Sequence, residues 1–172
     1  MVRVWMAWVV MAVLVVLCST VYGDIAVPVT GNDDTIKGRV MFGDPNEGLV
    51  GFYGAWDDRA PEHLWGAGVT ARMDISGEVT SLLDRFLGTP TSWWELLDSL
   101  GARAYLWADI GPAALAEDPQ ATATPGAGLR LGPFLAEAGY SLLEGGSIPL
   151  GDGDELESGM TYWIGVEWSI RF

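Results

Sequence analysis

The stretch that most limits what this chain can fold into is its last, Met160-Thr-Tyr-Trp-Ile-Gly-Val-Glu-Trp-Ser-Ile-Arg-Phe172. At period two, Tyr162, Ile164, Val166, Trp168, Ile170 and Phe172 share one face, while Thr161, Trp163, Gly165, Glu167, Ser169 and Arg171 share the other. Successive strand side chains point to opposite faces, so this is a strand with one wholly apolar side and one mixed, mostly polar side. Such a face has to be covered, by a core or by lipid. The remaining segments must say which.

The beginning of the chain is set apart first. Met1-Val-Arg3 is a positive start, Val4 to Leu17 is an apolar run, and Val21-Tyr-Gly23 precedes Asp24. That layout predicts a secretory signal peptide over residues 1–23, cleaved to leave a single domain over 24–172. An uncleaved anchor needs about 20 apolar residues, more than this run supplies. Cys18 is the only cysteine, and Leu17 stands before it where a lipoprotein signal has a small residue. The mature chain would then have no thiol chemistry, disulfide or cysteine–zinc site. Loss of Arg3 leaves eight basic residues against 23 acidic ones. That balance excludes a nucleic-acid binder, which needs cations to neutralise phosphates. No later apolar run is long enough for a transmembrane helix.

In order, the segments read mostly as strands. Asp24 to Thr30 is a weak strand, which Pro28 confines to an edge or to irregular structure. Thr35 to Gly43 and Leu49 to Asp57 form a hairpin around Asp44-Pro-Asn-Glu-Gly48. His63 to Ile75 alternates strongly. Ser76 to Leu100 switches to helical spacing through Val79, Leu82, Leu83 and Phe86, and Ser92-Trp-Trp-Glu95 reads as a capping box. Ala102 to Ile110 is a strand, Gly111 to Pro125 a loop, and Gly126 to Leu143 two strands about Gly132-Pro133. Glu144 to Gly159 is an acidic loop leading to the final strand. Eight strands result.

Which face is wet follows from the polar sides. Lys37, Arg39, Arg72, Arg103, Arg130 and Arg171 lie on them, together with Asp74, Asp109, Glu137 and Glu167. Opposite charges in those numbers suit pairing across a narrow interior. These faces are also rich in glycine, carry Tyr105, Trp107 and Trp163, and contain one lysine, unlike a solvent-facing sheet. Trp65 and Trp168, on the apolar sides, fit an interfacial aromatic belt. In hydrocarbon every backbone group must be paired, so strands span only as a closed barrel. Eight strands of about 9–11 residues fit the length. The expected fold is an all-β, antiparallel, up-and-down transmembrane barrel with a helical insert at about 76–100. Its lumen would be filled by side chains.

The signal segment, the GAGLRLGPFLAEAGYSL stretch at Gly126–Leu142 and the terminal strand closing on Phe172 together resemble the small eight-stranded outer-membrane barrels of Gram-negative bacteria, the opacity-protein-like group. The resemblance implies a monomer in outer-membrane lipid. It also implies that Tyr162, Ile164, Val166, Trp168, Ile170 and Phe172 form the signal read by the barrel-assembly machinery. The insert at Ser76–Leu100 departs from that group. Strand alternation places it on the periplasmic side, where such barrels have short turns.

Little chemistry is written in the sequence. His63 is the only histidine, so a histidine-dependent hydrolase must use it, and no nucleophilic Ser lies near it. No catalytic, cofactor or metal site is expected: Asp152, Asp154, Glu155 and Glu157 are dense but lack a calcium-loop spacing. Trp93 and Trp94, beside Leu96, Leu97 and Leu100, suit either a membrane interface or a cap on the barrel end. The lumen charges read as a salt-bridged plug rather than a solute path. The expected role is structural or interactive, through acidic loops at Asp57–Glu62, Gly111–Pro125 and Glu144–Gly159. The alternatives are a soluble secreted or periplasmic barrel binding an apolar ligand, and an outer-membrane lipid-modifying enzyme.

Overall fold

The computed structural model describes residues 24–57, 64–87, 93–114, 120–151 and 154–170. The expected signal segment, His63, Ser92, Arg171 and Phe172 lie outside them. Among the described residues the elements are β1 (Asp24–Gly31), β2 (Thr35–Asp44), β3 (Gly48–Asp57), β4 (Leu64–Asp74), α1 (Ser76–Leu87), α2 (Trp93–Ser99), β5 (Ala102–Ala114), β6 (Gln120–Leu131), β7 (Phe134–Leu143), β8 (Ser147–Gly151), β9 (Asp154–Glu157) and β10 (Gly159–Ile170). Eight of the strands close a barrel in the order β1-β10-β7-β6-β5-β4-β3-β2, every neighbouring pair antiparallel. This is the architecture expected from the alternation. The strands β8 and β9 form a separate two-stranded ribbon.

Two expected loops are in part strand. Gly111 to Pro125 continues the β5–β6 ladder, with Gly111 opposite Thr122 and Asp109 opposite Thr124. Its Ala, Thr and Pro content reads as loop, but Thr122 and Thr124 keep the inward parity, and Thr122 Oγ1 donates to the Gly111 carbonyl at 2.9 Å. Glu144 to Gly159 holds the β8–β9 ribbon.

The expectation for Pro28 is also corrected. Here β1 closes the barrel, pairing with β10 through Pro28 opposite Glu167. On its β2 side the ladder skips Val27 and Pro28. Pro112 and Pro125 repeat the arrangement: each is paired on one side, and on the other the ladder skips it. Proline lacks a ladder donor, so a barrel strand tolerates it where one of its two ladders is already open.

One end of the barrel has tight connections. Three residues link β2 to β3, where Asp44 Oδ1 accepts from the Asn46 amide at 2.8 Å, and Gly132-Pro133 links β6 to β7. The helical insert joins β4 to β5 at this same end. Asp74 Oδ1 accepts from the Ser76 amide at 2.9 Å, satisfying one of the first-turn N–H groups that have no acceptor within the helix. Ser76 Oγ accepts from the Ala104 amide at 2.8 Å and pins the helix start to β5. Gly101, at φ +64°, ends α2 in the left-handed conformation common after a helix. The strand ends that flank 32–34, 58–63, 115–119 and 144–158 lie at the other end.

Glycines on the inner face make room for rings. A Cβ on Gly128 would sit 2.4 Å from Tyr105 Cζ, and one on Gly126 would sit 2.6 Å from the Trp107 indole. We therefore expect Gly128→Ala to cost about 1–3 kcal/mol, the usual range for overpacking. Gly38→Ala, with nothing within 4 Å of the new methyl, should be close to neutral. Urea unfolding of both variants in detergent checks the contrast.

Candidate functional site

The register sorts the side chains cleanly. Apart from Asp44, where β2 runs into its turn, no Asp, Glu, Lys or Arg takes an outward position on the described barrel strands. Outward residues such as Ile164 (74% exposed), Leu129, Val50 and Ile110 are open to the surroundings. Trp56, Tyr140 and Tyr162 stand outward toward the long-loop end, and Phe134 and Trp168 toward the turn end. Lys37, Arg39, Arg72, Asp109, Glu137 and Glu167 point inward and are buried.

The inward charges form two knots. In the first, Asp109 on β5 accepts from Lys37 Nζ at 2.9 Å and from Arg39 Nη2 at 3.0 Å, both donors standing across the lumen on β2. Arg39 Nη1 also reaches Glu137 on β7, at 2.9 Å, and Tyr105 donates its hydroxyl to the same carboxylate at 3.0 Å. Aromatic faces complete the surroundings. Lys37 Nζ lies 4.2 Å from the centre of the Trp163 ring, Arg39 lies 4.6 Å from that of Trp107, and the two indoles meet edge to face at 5.5 Å. Cations over aromatic faces gain most where water is excluded. The Trp107 and Trp163 Nε1 groups are buried without an acceptor among the described residues.

The second knot lies nearer the turn end. Glu167 on β10 is shared by Arg72, which reaches it from β4 on the far wall, and by Arg130 of β6, which donates at 2.7 Å. Both knots join strands that are not neighbours in the sheet. They therefore fix the barrel's cross-section, which the ladders alone do not.

Two residues of the expected lumen set belong elsewhere. Asp74 sits at the strand end and accepts from Ser76 as a helix cap. Arg103 pairs at 2.7 Å with Asp98 on α2, which is half exposed. Position explains both: each stands where its strand meets the insert, and alternation fixes a face but not a depth. Arg171 and Phe172 lie outside the described residues. Of the assembly-signal set, Tyr162, Ile164, Trp168 and Ile170 are exposed on the outer face, and Val166 is half-buried.

Beyond the second knot a cavity of ≈ 760 Å³ opens at the turn end, lined by Arg103, Arg130, Glu167, Asp24, Asp44 and Asn46 among others. Among the described residues, no three His, Cys, Asp or Glu side chains are grouped as a metal ion would require. No described helix is long and apolar enough to cross a membrane.

Breaking the second knot should be costly. We expect Glu167→Ala, which strands the buried Arg72 guanidinium and frees the part-buried Arg130, to lose about 3–5 kcal/mol. Asp98→Ala, at a half-exposed pair, should lose under about 1 kcal/mol. Thermal unfolding in detergent measures both.

No protein-family model and no curated protein matches the chain. A solved structure, the N-terminal β-barrel domain of Pseudomonas aeruginosa OprF, is similar at 15% identity, covering 86% of this chain and 96% of that one with a TM-score of 0.48.

Proposed function

We propose that this chain is a monomeric barrel of the bacterial outer membrane, non-catalytic, with a structural or surface-interaction role. The observation that carries the reading is the separation of charge from apolar surface across one sheet. Ile164, Leu129, Val50 and Ile110 face outward, uncovered, while the cations and carboxylates of both knots meet inside. In water that outer belt would be an aggregation liability. In hydrocarbon it is the expected surface, and the closed ladder leaves no unpaired edge to solvate.

The interior argues against carriage of an apolar ligand, because paired charges and rings fill it around the two knots and the cavity beyond them is lined by Arg103, Arg130 and Glu167. In this reading the lumen is a rigid plug, and function lies at the ends. The β8–β9 ribbon and the segments about 58–63 and 115–119 would form the outer surface that meets other molecules. The terminal strand, with Tyr162, Ile164, Val166, Trp168 and Ile170 on one face, would serve the assembly machinery.

Two measurements check this. Carbonate washing should leave the protein in the membrane fraction. On a detergent gel the unboiled protein should migrate apart from the boiled form. Release by carbonate, together with identical migration, would return the soluble barrel.

A further inference from the structure

The helical insert leaves an apolar surface uncovered. On α1, Leu82 and Phe86 are 50% and 80% exposed, and at the other end of the insert Leu96 and Leu100 are 50% and 55% exposed. In α1 the apolar positions Val79, Leu82, Leu83 and Phe86 recur at helical spacing, while Glu78, Asp84 and Arg85 occupy other positions. This is an amphipathic helix whose apolar stripe is half-buried at Val79 and Leu83 and left open at Leu82 and Phe86.

Both ends of the insert are anchored at the rim of the outer belt. The helix α1 begins three residues after Met73, which faces outward at 54% exposure, and its first residue is pinned to Ala104, whose register partner Leu129 is 63% exposed. The return runs through Leu100 to Gly101, whose carbonyl accepts from the Gly132 amide at 3.4 Å in the turn between Leu131 and Phe134. Those two outward residues are 51% and 64% exposed. The uncovered helical residues are thus tethered at both ends to the turn-end margin of the apolar belt.

We infer that the insert is an interfacial foot: α1 and α2 lie against the lipid surface at the turn-end rim of the barrel, with Leu82 and Phe86 immersed at the acyl–headgroup boundary. The occupant of this face is phospholipid. Amphipathic helices bind in that plane through their apolar side, buried about 5–10 Å into the boundary. The inference rests on the membrane reading above, so the test must separate the two.

The full chain, with Cys18→Ser to remove its only native thiol, is folded into phosphatidylcholine vesicles. An environment-sensitive fluorophore is placed in turn at Phe86→Cys, Arg85→Cys and Ile164→Cys. Brominated phosphatidylcholines carry the quencher either near the headgroup end of the acyl chain or at mid-chain. The label at 164 should be quenched from within the hydrocarbon. The label at 86 should be quenched more strongly by the shallow bromines than by the deep ones, and that at 85 should respond mainly to aqueous iodide. Quenching at 164 with a label at 86 open to iodide and untouched by bromine would overturn the foot while leaving the barrel in the bilayer. That result would point to a protein partner for the helices. Loss of quenching at 164 as well would overturn both readings.

Discussion

The pairing of β1 with β10 is the interaction on which the rest of the structure depends. Seven residue pairs, from Ile25 opposite Ile170 to Gly31 opposite Ile164, join the two ends of the sheet. Without them the barrel is an open sheet with two unpaired edges, and a lumen lined with charges becomes an exposed face. Closure gives the apolar outer side a continuous surface and turns the inner side into an enclosed space, where opposite charges have no choice but one another. It also fixes the place of Glu167, which sits on the closing strand and receives guanidiniums from two other walls.

Enclosure sets the energetics inside. A buried ion pair is weak support for stability as such, since desolvation offsets much of the attraction, but removal of one partner is severe. The lumen meets that constraint by sharing. Asp109 serves Lys37 and Arg39, Arg39 serves Asp109 and Glu137, and Glu167 serves Arg72 and Arg130. Aromatic rings occupy the space between, and Gly126 and Gly128 on the neighbouring strand yield the volume the rings need. The result is a charge network tied to several walls at once.

Most of the barrel was legible in the sequence, because strand parity is a strict code: a residue's face follows from counting. The inward positions of Lys37, Arg39, Asp109, Glu137 and Glu167, and the outward ones of Tyr162, Ile164 and Trp168, follow from parity alone. Depth does not. Arg103 and Asp74 share the inner parity but stand at strand ends beside the insert, where Asp98 and the Ser76 amide claim them. Gly111 to Pro125 reads as loop because its Ala, Thr and Pro content outweighs parity, and Pro28 reads as an edge signal although one open ladder suffices for it inside a closed sheet. The Tyr105–Gly128 fit depends on the register between β5 and β6, and the sharing of Glu167 on which strands face each other across the lumen. No local pattern holds that information.

In the membrane reading every second residue of the closing strand looks into hydrocarbon. Nitroxide scanning of residues 161–170, one cysteine at a time in a Cys18→Ser background and in lipid vesicles, tests it directly by comparing collision with oxygen, which concentrates in acyl chains, and with a water-soluble nickel chelate. Oxygen accessibility should rise at 162, 164, 166, 168 and 170 and fall between them, with the chelate excluded from the middle of the strand. Nickel accessibility at the even positions, or no period of two at all, would contradict it.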